Sequence, residues 1–514
     1  MFAHLRSLCA IILFVCTLAP QARSQAQVVF KSGFDTKPER GWFGTRRYKM
    51  VADDATSSIV FTTKKNKTAL LRMALPAREL RGKKLMIKAR VKAENVGEAS
   101  VTGKGIKIMM HIHAAADDYW TLIPFPAGSF DWKTDQFITF VPYDADSMWL
   151  ILGIEKTGGK LWVDNIEITV VDAMESLPAA SVSDNEISNY QYGKLRGCMI
   201  NPTLGKGDIE ALGSWGANLI RWQLMWDGFP ATPADTATPQ VYAAWIERSL
   251  EHIDEMLPVC KANNIKIIID LHTLPGGINK SGWGHKLFEE KVWQEVFIEI
   301  WNKIAARYKD EQGVWGFDIA NEPNEHDLPA GLMSWQELAA EVARNIRAID
   351  KSHVIIVEGA PNGHLHALAS LKPIPVPGIV YSFHMYEPST FTHQGLYAPA
   401  NVRYPGVIYG REWNKAKLRE VLAPIYRFQQ EYNARIFVGE FSAIRWAPGE
   451  SAYYYLRDCI DLFEEAGWDW CYHAFREYHG WSVEHTTDRA NEQPSATPTL
   501  RQQLLKEAFG KNKR

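Results

Sequence analysis

The chain changes its rhythm once. Across residues 28–172, apolar and polar positions alternate in short runs such as KLMIKARVKA, GIKIMMHIHA, DQFITFVP and KLWVDNIEITVV, broken by Gly, Pro and Asp. A period of two sends successive side chains to opposite faces. Several such runs at this spacing therefore predict an antiparallel β-sandwich over residues 27–172. Residues 173–190, AMESLPAASVSDNEISNY, have no period and are rich in Ser, Ala, Asp and Asn, as a linker is. Beyond them come eight short, almost continuously apolar runs: KLRGCMI, NLIRWQL, KIIIDLH, VWGFDIAN, VIIVEGA, IVYSFHMY, RIFVGEFS and DWCYHAF. Helical periodicity lies between them at 241–263, 287–309, 335–350, 414–432 and 452–466. Strands buried on both faces and alternating with helices predict an α/β fold with parallel strands. No glycine-rich phosphate turn follows the first strand, so residues 191–514 are expected to form a (β/α)8 TIM barrel rather than a doubly wound sheet.

Length agrees with two domains, because 514 residues exceed what one core serves. The first residues, MFAHLR, are basic, and LCAIILFVCTLA is an apolar run of signal-peptide length, well short of the roughly 20 residues of a membrane span. Ser24-Gln25-Ala26 supplies small residues for cleavage, so residues 1–26 are expected to leave as a signal peptide. The product would be secreted, periplasmic or extracellular, with no membrane association afterwards. Phe14 and Val15 precede Cys16 where a lipoprotein signal needs small residues, which argues against lipidation. Lys and Arg total 57 against 59 Asp and Glu, a balance that leaves no field for nucleic acid and favours a neutral partner. Cys198, Cys260, Cys459 and Cys471 would remain after export; none has a CxxC or metal spacing, and the pattern reads as small buried hydrophobes.

Polar residues cluster where the apolar runs of the second region stop: Arg221, His272, Asn321 with Glu322, His384 with Tyr386, and Glu440. In a parallel barrel these strand ends meet at one mouth, where active sites are built. Glu322 and Glu440, on the fourth and seventh strands, face each other across it. Two carboxylates so placed suit glycoside hydrolysis, in which one attacks the anomeric carbon as an anion and the other protonates the leaving oxygen. Retention needs the carboxyl groups about 5 to 5.5 Å apart and inversion about 6.5 to 9.5 Å.

The runs IRWQL and DLH, the triplet Asn321-Glu322-Pro323, the HMY segment and the pair Gly439-Glu440 stand in this order with about one per strand. In this respect the second region resembles glycoside hydrolase family 5, the cellulase and mannanase family of clan A. The resemblance implies that Glu322 is the acid/base and Glu440 the nucleophile. It implies that Arg221 and Tyr386 hold the nucleophile ionised and placed, that Asn321 bonds the sugar 2-OH, and that His272 and His384 touch substrate or orient the acid/base. The eighth strand departs from the family, which places a tryptophan there under the sugar. Trp470 is assigned that place, with His473, Phe475 and Trp481 as the other candidates. Trp226, Trp283, His285 and Tyr397 in the strand-end loops are candidate sugar contacts, whereas Glu325 and Glu387 are assigned to ion pairs or outer contacts.

In the first region LWVDNIEI resembles the last strand of jelly-roll carbohydrate-binding modules. Trp42, Trp120, Trp132 and Trp149 there would form either a sugar-binding face or core. His111 and His113 share a strand face, but two ligands without a third read as a solvated surface, so no metal is expected. The two-carboxylate chemistry needs no cofactor. The expected activity is a secreted, retaining endo-β-1,4-glucanase acting on a β-linked polysaccharide or oligosaccharide. A β-mannanase, a mixed-linkage or xyloglucan-active glucanase, or an exo-β-glucosidase would use the same residues. A non-catalytic polysaccharide-binding barrel is the alternative of another class. Nothing in the pattern fixes an oligomeric state.

Overall fold

The computed structural model describes residues 27–512 except 35–41, 46–47, 54–55, 99–103, 115–117, 124, 172–183, 185–186, 227–233, 280–283, 326–327 and 397. The expected signal peptide and most of the expected linker lie outside the described residues. The alternating runs form two antiparallel sheets. Their strands are β1 (Val28–Ser32), β2 (Trp42–Gly44), β3 (Tyr48–Asp53), β4 (Thr56–Thr63), β5 (Ala69–Leu75), β6 (Lys84–Val96), β7 (Gly105–Ala114), β8 (Asp118–Leu122), β9 (Gly128–Phe140), β10 (Ala145–Glu155) and β11 (Gly159–Val171). One sheet runs β3-β4-β11-β6-β9 with β1 added on β11, and the other runs β2-β5-β10-β7-β8. In β6, Leu85, Ile87, Ala89 and Val91 are buried while Lys88 is exposed, the burial that a period of two dictates. They meet Ile108, Met110 and Ile112 of β7 and Leu150 and Leu152 of β10 in the core between the sheets.

The eight apolar runs form β12 (Arg196–Ile200), β13 (Leu219–Gln223), β14 (Lys266–Asp270), β15 (Val314–Asp318), β16 (Val354–Glu358), β17 (Ile379–Met385), β20 (Arg435–Phe441) and β21 (Asp469–Phe475), with the hairpin β18 (Gly406–Ile408) and β19 (Arg411–Trp413) inserted after β17. They close a parallel barrel in chain order. Leu219, Ile268, Trp315, Val354, Val380, Phe437 and Cys471 fill its interior. Their neighbours of opposite parity, such as Ile220, Ile267, Val314, Val438 and Trp470, pack outward on the helices. Gly197 is required at the β12–β13 contact, since a Cβ there would stand 1.8 Å from the Leu219 carbonyl oxygen.

Helix starts follow their caps. Thr238 accepts the Val241 N–H ahead of Pro239–Ala262, and Ser334 with Glu337 forms a capping box on Trp335–Ile349. The single helix expected over 414–432 is two, Lys415–Val421 and Ala423–Tyr432, broken at Leu422 because Pro424 has no N–H to donate back to the preceding turn. The four cysteines are free and buried. Among the described residues no helix is long and apolar enough to cross a membrane. The sandwich is joined to the barrel by side chains: the Tyr143 hydroxyl donates to the Ala369 carbonyl at 3.0 Å, and the Tyr119 ring stands edge-on to His364 and His366 at 5.5 and 5.8 Å.

Ile268 has interior parity and no exposure. Ile268→Ala should therefore destabilise the barrel by about 2–5 kcal/mol, whereas Val407→Ala, at a position 72% exposed, should stay within about 0.5 kcal/mol of the parent. Thermal unfolding monitored by calorimetry reads the difference.

Candidate active site

Strand parity that puts Leu219 inside the barrel puts Arg221 inside as well, fully buried. Its Nε donates to Asp318 Oδ2 at 2.9 Å, and Nη1 donates to Glu440 Oε1 at 2.8 Å. Its Nη2 reaches Asn321 Oδ1 at 3.0 Å, with Asp270 Oδ1 and Glu358 Oε1 both at 3.1 Å. Burying five charged groups is tolerable only because each finds partners of opposite sign or a hydrogen bond.

Glu440 reaches this arrangement by a bulge. The β17–β20 register jumps between Phe383↔Val438 and His384↔Glu440, so Gly439 is passed over and Glu440 turns to the mouth. A Cβ on Gly439 would lie 2.8 Å from Ser382 Oγ and 3.1 Å from His384 Nε2, so glycine is what lets the bulge and His384 coexist. The other oxygen of Glu440 accepts from the Tyr386 hydroxyl at 2.9 Å.

Glu322 follows β15 in a left-handed backbone conformation, φ 43°, just before Pro323. That conformation costs a non-glycine residue on the order of 1–3 kcal/mol. Its backbone N–H donates to Glu358 Oε2 at 2.8 Å, which fixes the turn. His384 bridges the two halves, with Nδ1 2.8 Å from Glu322 Oε1 and Nε2 3.0 Å from Glu358 Oε1. One carboxylate oxygen of Glu322, one of Glu440 and a ring nitrogen of His384 lie within 4.8 Å of one another.

Charge is sorted within this cluster. Burial pushes the Glu440 carboxyl up, but His384, His473 and Arg221 outweigh it and hold it far below the usual carboxylate range. Burial likewise opposes ionisation of Glu358, which His384 and Arg221 nonetheless keep below its ordinary value. Asp318 goes the other way: burial, helped by Glu358 and Asp270, raises it well above normal against the pull of Arg221. Burial lowers His384, yet Glu358 and Glu440 lift it well above 6.5. The Tyr386 phenol is pushed well up by burial and then by Glu440 and Glu322, so it remains a donor.

His272 points into the same mouth, with Nδ1 2.9 Å from Asp270 Oδ2 and Nε2 3.4 Å from Asn321 Nδ2. Trp470 does not. On β21 the inward positions are Cys471 and His473, so Trp470 faces the helices, where its Nε1 donates to Glu464 at 2.9 Å and its ring stacks on Phe509. Its assignment as the sugar platform is corrected by strand parity. Phe475 packs edge-on to Trp215. His473 and Trp481 do face the site: His473 Nδ1 is 2.7 Å from the Tyr386 hydroxyl, and the Trp481 ring lies 5.8 Å from His473 and 6.4 Å from Tyr386.

A cleft of about 730 Å³ opens beside Glu322, lined by Trp226, His272, Ile278, His285, Asn321 and Asn362 among others. Trp226 is 5% exposed and tilts against Trp245 at 4.9 Å, so it is a wall more than a platform. Burial lowers the His285 pKa to about 4. Trp283 and Tyr397 lie outside the described residues. Glu325 accepts the Trp335 N–H at a helix start, and Glu387 pairs with His364. Asp270, Asp318, Glu358 and Glu477 escaped the sequence reading. The first three end the apolar runs KIIID, VWGFD and VIIVE, the same signal that marked Arg221. Glu477 accepts from Gln223 at 2.8 Å and lies 3.5 Å from His473. On the sandwich, His113 lies against Asp118 and Arg411, a cation that opposes a metal there.

Residues 183–478 match the family model described as cellulase (glycosyl hydrolase family 5). Endoglucanase C of Acetivibrio thermocellus is 30% identical over 284 residues, covering 50% of this chain and 80% of that protein. Cellodextrinase A of Ruminococcus flavefaciens is 24% identical over 274 residues, covering 51% and 75%. A solved structure of endoglucanase Cel5A from Thermotoga maritima superposes with a TM-score of 0.48 at 24% identity, covering 64% of this chain and all of its own.

The sorted charges give stability a pH dependence. His272, His384 and His473 have folded pKa values raised above 6.5, so their contribution is complete below that value and is lost as pH rises through the folded values. Asp318, an acid raised on folding, adds to the same trend. Glu440 and Glu358 are depressed and weaken the fold only when pH drops below their ordinary 4.5. The melting temperature should therefore fall from about pH 6.5 to about pH 9; a flat or rising profile would contradict the charge assignment.

Proposed function

The chain belongs to glycosyl hydrolase family 5, the cellulase family, and is a glycoside hydrolase; from that premise we propose that it is a secreted, retaining endo-β-1,4-glucanase. The observation that carries retention is the approach of Glu322 and Glu440 oxygens to within 4.8 Å. So close an approach of single oxygens supports the roughly 5 Å class over the roughly 6.5 to 9.5 Å class, in which a water stands between the carboxylates.

Glu440, held anionic by Arg221 and the nearby histidines, attacks the anomeric carbon. Glu322 gives its proton to the glycosidic oxygen as that carbon–oxygen bond breaks, leaving a glycosyl ester on Glu440. Glu322 then takes a proton from water, whose oxygen displaces Glu440 and restores the anomeric configuration. Asn321 Oδ1 is occupied by Arg221, which leaves Nδ2 to donate to the sugar 2-OH. Tyr386 donates to Glu440 and places it. His384, between Glu322 and Glu358, positions the acid/base. His473 and Trp481 stand where the sugar at the cleavage point would rest, in place of Trp470. An open cleft and relatives named endoglucanase and cellodextrinase support a glucan chain as substrate. The basic start, apolar core and Ser24-Gln25-Ala26 site support export.

Reducing-sugar release should occur from carboxymethyl-cellulose or barley β-glucan and vanish in Glu440→Gln, while Glu322→Gln should lose about 10²- to 10⁴-fold with poor leaving groups. Proton NMR of the first product should show the β-anomer; an α-anomer would sink the retaining mechanism, and release from mannans alone would change the substrate. Gly439→Ala should fold yet cut turnover by on the order of a hundredfold, because it pushes on His384 and the Glu440 bulge. Wild-type turnover in that variant would mean the bulge does not place the nucleophile.

A further inference from the structure

Of the five sandwich tryptophans, four are absorbed by packing, Trp162 lying under the Lys160 ammonium. Trp42 meets Phe30 and Phe34, Trp132 lies under Arg90, and Trp149 is half-buried beside His111. Trp120, on the edge strand β8, is 52% exposed. Its other face is occupied by the His111 imidazole, stacked at 3.5 Å and 7°. The indole is thus pinned from behind and open in front, the form of a platform for the C–H face of a pyranose.

An isolated exposed tryptophan would say little; this one has a particular place. It lines a crevice of about 200 Å³ between the sandwich edge and the barrel loop after β16, together with Tyr119, Phe140, Asn324, Asn362 and His364. Asn324 and Asn362 also line the catalytic cleft. The two hollows therefore share a wall beside Glu322. The Asn362 N–H donates to the Pro323 carbonyl at 3.0 Å, which ties the shared wall to the acid/base turn itself. The crevice has fixed walls, because Tyr143, Tyr119 and Arg411 lock the sandwich to the barrel.

We propose that the sandwich completes the substrate-binding cleft, Trp120 forming a distal subsite that holds the β-glucan segment extending beyond Glu322. This rests on the glucanase reading above and adds a binding position carried by a different domain. A built-in subsite differs from a tethered binding module, which raises local concentration on solid polymer and leaves soluble substrates untouched.

The test compares wild type, Trp120→Ala and Trp120→Phe on an aryl cellobioside, soluble barley β-glucan and insoluble cellulose. Trp120→Ala should keep the aryl cellobioside rate and the melting temperature but lose about three- to tenfold in kcat/KM on soluble β-glucan, the size of one ring contact. Trp120→Phe should recover most of that loss. Equal loss on short and long substrates, no loss on either, or loss confined to insoluble cellulose would each overturn the subsite. If wild type hydrolyses no β-glucan, the glucanase reading fails by itself. Calorimetric titration of cellohexaose into Glu440→Gln, with and without Trp120→Ala, then decides the subsite, and an unchanged Kd overturns it.

Discussion

The mouth of the barrel depends on one guanidinium. Arg221 alone reaches carboxylates from β14, β15, β16 and β20 and the amide of Asn321. A buried ion pair adds little net stability over a hydrophobic substitute, yet removing one partner strands the others at a cost of about 3–5 kcal/mol. Its value here is geometric and electrostatic. Strand ends that share a five-donor fork cannot drift apart, and the Glu440 carboxyl on the cation is held far below its ordinary pKa while burial pushes Asp318 the other way.

His384 carries this arrangement to the second carboxylate. It lies between Glu358, which belongs to the Arg221 cluster, and Glu322, and Glu358 in turn accepts the Glu322 N–H. Glu440 and Glu322 are therefore parts of one connected network, with Gly439 and Gly363 supplying the clearance. A Cβ on Gly363 would stand 2.5 Å from Glu358 Oε2.

Much of this was legible in the chain, for physical reasons that also mark where legibility ends. The barrel strands are apolar on both faces and the sandwich strands on one, so their periods separated the two regions. Polar residues at the ends of apolar runs identified Arg221, Glu322, His384 and Glu440. The same rule would have picked out Asp270, Asp318 and Glu358, which were passed over because a strand-end acid is common. Strand eight failed for another reason: in DWCYHAF nearly every residue is bulky, so no contrast reveals which parity faces inward, and only β21 in place shows His473 inside and Trp470 outside. The turn of Glu440 toward the mouth rests on a one-residue bulge, which leaves no trace in composition. Among the sandwich tryptophans, partners distant in sequence decide which is buried, and His111 under Trp120 is visible only once β7 and β8 pair.

Edge strands β8 and β9 also bear on how the molecule avoids sticking to copies of itself. An unpaired edge is a template for a foreign strand. The outer part of β9 carries Asp131, Lys133 and Asp135, charges that discourage such pairing, while its Phe137, Ile138 and Phe140 end is buried. Phe140 faces His366, which is made more than 200 residues later in the chain. During synthesis Ile138 and Phe140 of that edge therefore wait uncovered until the barrel arrives, and the hazard of aggregation falls on that interval rather than on the finished protein.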